Sequence, residues 1–88
     1  MAEITPIRVM IVDDHDVVRH GLTVMLESFT DFVLVGEAAN GEEGIRRCAE
    51  LQPDVLLTDL KMPGISGVQV IQAVHQECPE TQIVALTN

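Results

Sequence analysis

Basic residues are scarce in this sequence: 5 Lys and Arg stand against 14 Asp and Glu, for a formal charge of −9 over 88 residues. With no Lys/Arg cluster to offset that charge, a phosphate backbone is repelled, so direct nucleic-acid contact is not expected from this segment. Long apolar runs are missing too, and nothing approaches the roughly 18 residues that a membrane-spanning helix requires. The first six residues carry Glu3 and no basic run, unlike a secretory leader. Cysteine is limited to Cys48 and Cys78, 30 positions apart, in no C-x-x-C pair and without a histidine at zinc spacing. Two free thiols and a cytoplasmic location are the expectation. Trp and Tyr are absent, and Phe29 and Phe32 are the only aromatics, yet 47% of the residues are hydrophobic. That excludes intrinsic disorder. The length allows one domain at most, one burying only about 60 to 65% of its unfolded surface.

What is present alternates between short apolar runs and helical patterns. Ile7 to Val12 is β-branched and almost wholly apolar, as a strand buried on both faces of a parallel sheet should be. Val18, Leu22, Met25, Leu26 and Phe29 recur at three- and four-residue steps, predicting a helix over Asp16 to Phe29. Phe32 to Val35 reads as a second strand ending near Gly36-Glu37. Asn40 supplies a cap for a helix reaching about Leu51, with Glu42 and Glu43 in its first turn. Asp54 to Thr58 is a third strand. A Pro/Gly-rich loop, Met62 to Gly67, enters a helix capped by Ser66, with Val70, Ile71 and Val74 inward. Pro79 closes it, and Gln82 to Leu86 is a fourth strand. The order βαβαβαβ, with connections too long for hairpins, predicts a doubly wound α/β unit with right-handed crossovers.

In such sheets ligands sit outside the carboxyl ends of the strands, where the strand order switches direction. Asp13 and Asp14 follow strand one, Asp59 follows strand three, and Thr87 follows strand four. Aspartate is also common at helix starts, so capping is the plainer role for Asp13 and Asp14 alone; an equivalent Asp59 in the third unit favours a shared pocket. Carboxylates crowded there either take up protons or surround a hard cation, and an all-oxygen donor set suits Mg²⁺ better than zinc.

Val12-Asp13-Asp14-His15, then Asp59-Leu60-Lys61-Met62-Pro63-Gly64-Ile65-Ser66-Gly67, then Ala85-Leu86-Thr87, in this order, resemble the receiver domain of two-component response regulators. The likeness covers essentially residues 1–88. The Met-Pro-Gly-x-Ser-Gly run beginning three residues after Asp59, with Asp59 itself 45 residues beyond Asp14, is the specific part. Asp13 to Leu22 also looks like the subgroup whose receivers precede a LuxR-type helix-turn-helix output domain.

The resemblance implies a flavodoxin-like receiver fold. It implies that Asp59 is a phosphoacceptor, served by a sensor histidine kinase and assisting its own phosphorylation and dephosphorylation without being an enzyme in the ordinary sense. Asp14, Asp59 and the backbone carbonyl of Lys61 would hold Mg²⁺, with Asp13 acting through a metal-bound water and Thr87 as the switch hydroxyl. Pro63 and Gly64 would shape the turn beside Asp59, and Gly67 would permit close backbone approach. His15 reads as a partly exposed first-turn residue whose cationic form the carboxylates favour.

Against the family pattern, the sequence reaches only the fourth strand at Asn88. The expectation is therefore an incomplete receiver lacking the last strand, the last two helices and a lysine that pairs with the phosphoryl group. Strand four would be an open edge and helix one would lack a neighbour. Weakened Mg²⁺ binding, slow or absent phosphorylation and a homodimer or edge-paired oligomer follow as expectations, with DNA binding left to an output domain. A non-phosphorylated interaction module and a Mg²⁺-dependent phosphohydrolase are the alternatives. Asp59-Leu60-Lys61 lacks the second aspartate of the best-known Asp-x-Asp hydrolases.

Overall fold

In the computed structural model, which describes residues 5–86, the apolar run at the start of the chain becomes the inner strand β1 (Ile7–Val12). It is followed by α1 (Asp16–Glu27), β2 (Phe32–Ala38), α2 (Gly41–Leu51), β3 (Val55–Asp59), α3 (Gly67–Glu77) and β4 (Gln82–Leu86). The strands form one sheet in the order β2-β1-β3-β4, every pairing parallel. From β1 the chain steps outward to β2, then crosses back to β3 and β4 on the other side. The direction of winding thus reverses between β1 and β3, and a crevice opens at their carboxyl ends.

The twofold side-chain alternation of a strand assigns β1 to two cores. Met10 and Val12 face α2 and α3, packing with Ala38, Cys48, Leu56, Val70, Val74 and Cys78, all buried. Val9 and Ile11 face the other way, toward Leu26 and Leu22 of α1, with Phe32, Leu34, Val55 and Leu57 around them. Helices on both faces explain why β1 tolerates no polar residue after Arg8. The two faces are unequally covered. On the α1 side Val18 and Met25 remain 44% and 51% exposed, and β4 pairs only with β3 while showing Gln82, Val84 and Ala85 to solvent.

Local chemistry sets the element ends. Asn40 caps α2 by accepting from the Glu43 N–H (2.9 Å). Ser66 and Gln69 form a reciprocal capping box on α3. Helix α1 stops at Glu27, short of the expected Phe29. Ser28 and Phe29 donate to the carbonyls of Met25 and Leu26 in a tightened last turn, and Phe29 meets Phe32 edge-on at 6.0 Å. Strand β2 runs three residues past the expected Val35. Its register with β1 shifts between Val9 and Met10, so Val35 is accommodated as a bulge and pairing resumes at Gly36. Strand β3 starts at Val55; just before it the Asp54 carboxylate accepts the Arg8 N–H (2.9 Å), and the Asp54 main chain bonds to Arg8 and Gln82. Ile71 is half-buried, whereas Val70 and Val74 are fully enclosed.

Candidate functional site

Val12 of β1 lies opposite Thr58 of β3, so the next residue on each strand, Asp13 and Asp59, emerges at the same edge of the sheet. Both are buried, at 3% and 6% exposure. Asp13 extends the β1–β2 ladder by donating its N–H to the Ala38 carbonyl (3.1 Å). Its Oδ1 accepts from the His15 N–H at 2.8 Å and stands 2.9 Å from His15 Nδ1. Asp59 closes β3, and its Oδ1 accepts the N–H of Lys61 at 3.1 Å. Asp14 is half-buried; its Oδ1 is enclosed yet has no hydrogen-bond partner. Carboxylate oxygens of Asp13, Asp14 and Asp59 and an imidazole nitrogen of His15 all lie within 4.8 Å of one another. A cleft of about 140 Å³ opens over them, lined by Asp13, His15, Val18, Asp59 and Leu86.

The electrostatics follow from this crowding. The hydrogen bond to Asp13, and next the charge of Asp14, raise the His15 pKa above its ordinary value. An enclosed carboxylate oxygen without a donor is costly, and a cation satisfies it. Three carboxylates, two of them buried, are the oxygen-rich donor set of a hard divalent ion, so the residues present fit Mg²⁺.

The loop beyond β3 is shaped by two glycines. Gly64 takes φ +83°, which closes the turn after Pro63. Gly67 has its Cα against the main chain of Asp59 and Leu60: a Cβ there would collide with Leu60 Cα and approach the Asp59 carbonyl oxygen to 2.9 Å.

Of the residues singled out from sequence, Asp13, Asp14 and Asp59 converge, while Lys61 meets Asp59 through its main-chain N–H rather than the carbonyl expected to hold a metal. Thr87 lies outside the described residues. His15 proves to be the N-cap of α1, 57% exposed but with Nδ1 turned into the cluster. Sequence reasoning missed Arg19. Its Nη1 donates to the Asp13 carbonyl (2.6 Å) and its Nη2 to Asp16 (2.6 Å), with Nε 3.4 Å from Glu37. The Asp16/Arg19 spacing of three on a helix was the available signal.

A parallel sheet wound in both directions from β1, with an acidic pocket at its switch point, defines a flavodoxin-like α/β fold. The chain belongs to the response regulator receiver domain family, whose model matches residues 9–88. It is 46% identical over 81 residues to response regulator GacA of Pseudomonas viridiflava, covering 92% of this chain and 38% of that protein. A LuxR-family two-component response regulator from Aurantimonas sp. SI85-9A1 superposes with a TM-score of 0.87 at 32% identity, over 94% of this chain and 59% of that one. The isolated REC domain of RcsB from Salmonella enterica serovar Typhimurium, solved with the phosphomimetic BeF3⁻, gives 0.86 at 32% identity, over 94% and 62%. The chain thus spans well under half the length of the curated relative. Among the described residues, no helix is long and apolar enough to cross a membrane.

Proposed function

We propose that this chain is the phosphoacceptor unit of a two-component response regulator, with Asp59 as the residue that takes the phosphoryl group. The observation that carries this is Asp59 itself: a carboxylate ending a buried strand, set in a crevice where two further carboxylates meet it. A carboxylate oxygen of Asp59 attacks phosphorus of a phosphohistidine on a sensor kinase. The new O–P bond forms as the N–P bond breaks, leaving an acyl phosphate on Asp59 and returning the imidazole to the kinase. Asp14, Asp59 and the Lys61 carbonyl would hold Mg²⁺, with Asp13 reaching it through water. Bound there, the ion offsets negative charge on the carboxylates and on the transferring oxygens. Asp13 and Arg19 keep the pair on its turn, and Thr87 would donate its hydroxyl to the phosphoryl oxygen. That the RcsB REC domain was solved in the presence of a phosphomimetic supports a phosphoryl-accepting role for this kind of domain. The likeness to a LuxR-family regulator supports transcription as the output, through a segment other than residues 5–86.

The test is incubation with a small phosphodonor and Mg²⁺ followed by intact-mass measurement. A slow addition of one phosphate, absent from Asp59→Asn, is expected. No addition to the unaltered chain, with tight binding to a partner regulator, would replace this reading with that of an interaction module. The bare β4 edge and exposed Val84 favour self-association by edge pairing. Light scattering showing only monomer at micromolar concentration would dismiss that part.

A further inference from the structure

His15 brings the one nitrogen donor to a cluster otherwise made of oxygen. Its ring is largely exposed, yet Nδ1 turns inward, 2.9 Å from Asp13 Oδ1, 3.2 Å from Asp14 Oδ1 and 3.9 Å from Asp59 Oδ2. Around a cation with bonds of about 2.1 Å, neighbouring ligands of an octahedron sit about 3.0 Å apart and opposite ones about 4.2 Å. The 3.2 and 3.9 Å separations fall within that span, and 2.9 Å lies at its lower edge. The main chain holds the ring in place: His15 is extended at φ −94°, ψ 112° as the N-cap of α1, and its own N–H bonds to Asp13. The enclosed Asp14 Oδ1, which lacks a hydrogen-bond partner, lies beside Nδ1.

We propose that His15 is a direct nitrogen ligand of the bound divalent cation, and that through it the site favours borderline ions such as Mn²⁺, Co²⁺ or Zn²⁺ over Mg²⁺. The inference rests on the metal-site reading given above and sharpens it. Mg²⁺ is hard, holds its water and gains little from an imidazole; borderline ions gain a stronger bond and accept mixed oxygen and nitrogen donors. On binding, Nδ1 gives its lone pair to the cation, the ring keeps one proton on Nε2 at its exposed side and releases any second one to solvent, and Asp13 exchanges its Nδ1 contact for the metal-bound water. The donors lie within 4.8 Å of one another, so drawing them onto one ion takes only small side-chain shifts.

The probe is Mn²⁺ alone, added to the 88-residue chain at about pH 8. Electron spin echo envelope modulation of the bound ion should show a directly bonded ¹⁴N. His15→Gln should abolish that coupling and weaken Mn²⁺ by about tenfold or more, while Mg²⁺ affinity changes by no more than about twofold. Bound Mn²⁺ without ¹⁴N coupling would overturn the role of His15 and leave the carboxylate site standing. Failure of the unaltered chain to bind either ion would overturn the metal site and this inference together. The spectrum of the unaltered chain decides the matter even if the variant folds poorly.

Discussion

The guanidinium of Arg19 reaches back from α1 to the main-chain oxygen of Asp13, Nη1 donating at 2.6 Å. A residue one turn into the helix thereby fixes the turn that carries both strand-one aspartates. Its side chain is only 17% exposed, and Asp16 and Glu37 hold its other nitrogens. Arg19→Ala leaves the Asp13 carbonyl without its charged donor and should cost about 1 to 2 kcal/mol. Metal affinity should fall with it, because Asp13 and Asp14 lose their fixed geometry. Paired urea unfolding and metal titration check this; a stability loss with unchanged metal affinity would mean that Arg19 supports the fold alone.

Two glycines of one loop should respond differently. At Gly67 the added methyl meets main chain, the Cα and carbonyl of Leu60, which cannot swing aside as a side chain would. Gly67→Ala should cost about 2 to 3 kcal/mol and displace Asp59, so that Mg²⁺ binding weakens too. At Gly64 nothing lies within 4 Å of the new methyl, and only the φ of +83° resists it. Gly64→Ala should cost about 1 kcal/mol. Thermal melts of the two variants with and without Mg²⁺ separate these outcomes.

Much of this was legible from residue order, and the failures have physical causes. An apolar run such as Ile7 to Val12 can be buried on both faces only in a covered parallel sheet, so the aspartates ending it had to fall at the switch point. Strand β2 was read short because Gly36 and Glu37 resemble a terminator, and the bulge at Val35 depends on pairing with β1. The inward turn of His15 depends on the extended N-cap backbone, and Arg19 acts across six residues on a carbonyl. One-letter patterns carry neither. The surplus of negative charge that bars nucleic acid also includes the three carboxylates of the pocket.

Clustered carboxylates trade stability for binding. Asp59→Asn removes one negative charge from the group within 4.8 Å and keeps the shape. Relief of repulsion should stabilise the metal-free chain by about 1 kcal/mol, or roughly 4 to 8 °C in Tm. The same variant should lose the rise in Tm that Mg²⁺ is expected to give the unaltered chain. A lower metal-free Tm would show that His15 and the Lys61 N–H already compensate the Asp59 charge in full.

The thiols supply a pH dependence of their own. Cys48 and Cys78 are free and wholly buried in the core beneath α2 and α3. Burial, with the neighbouring Cys78 thiol adding to it, pushes Cys48 up from 9.0 to about 12. The folded chain therefore holds the Cys48 proton more tightly than the unfolded one. The stability this represents is fully present below pH 9.0 and is lost as pH rises from there toward 12, at up to about 1.4 kcal/mol per pH unit from this group. Cys48→Ala should cost about 1 to 2 kcal/mol at neutral pH by opening a small cavity. Lacking the titrating thiol, it should lose less than the unaltered chain in alkali, and the gap should narrow by about 1 kcal/mol between pH 8 and pH 10. Urea unfolding of both chains across that range measures it. Parallel curves would mean that the Cys48 thiol ionises in the folded chain about as readily as in the unfolded one, through local opening of α2 from the sheet.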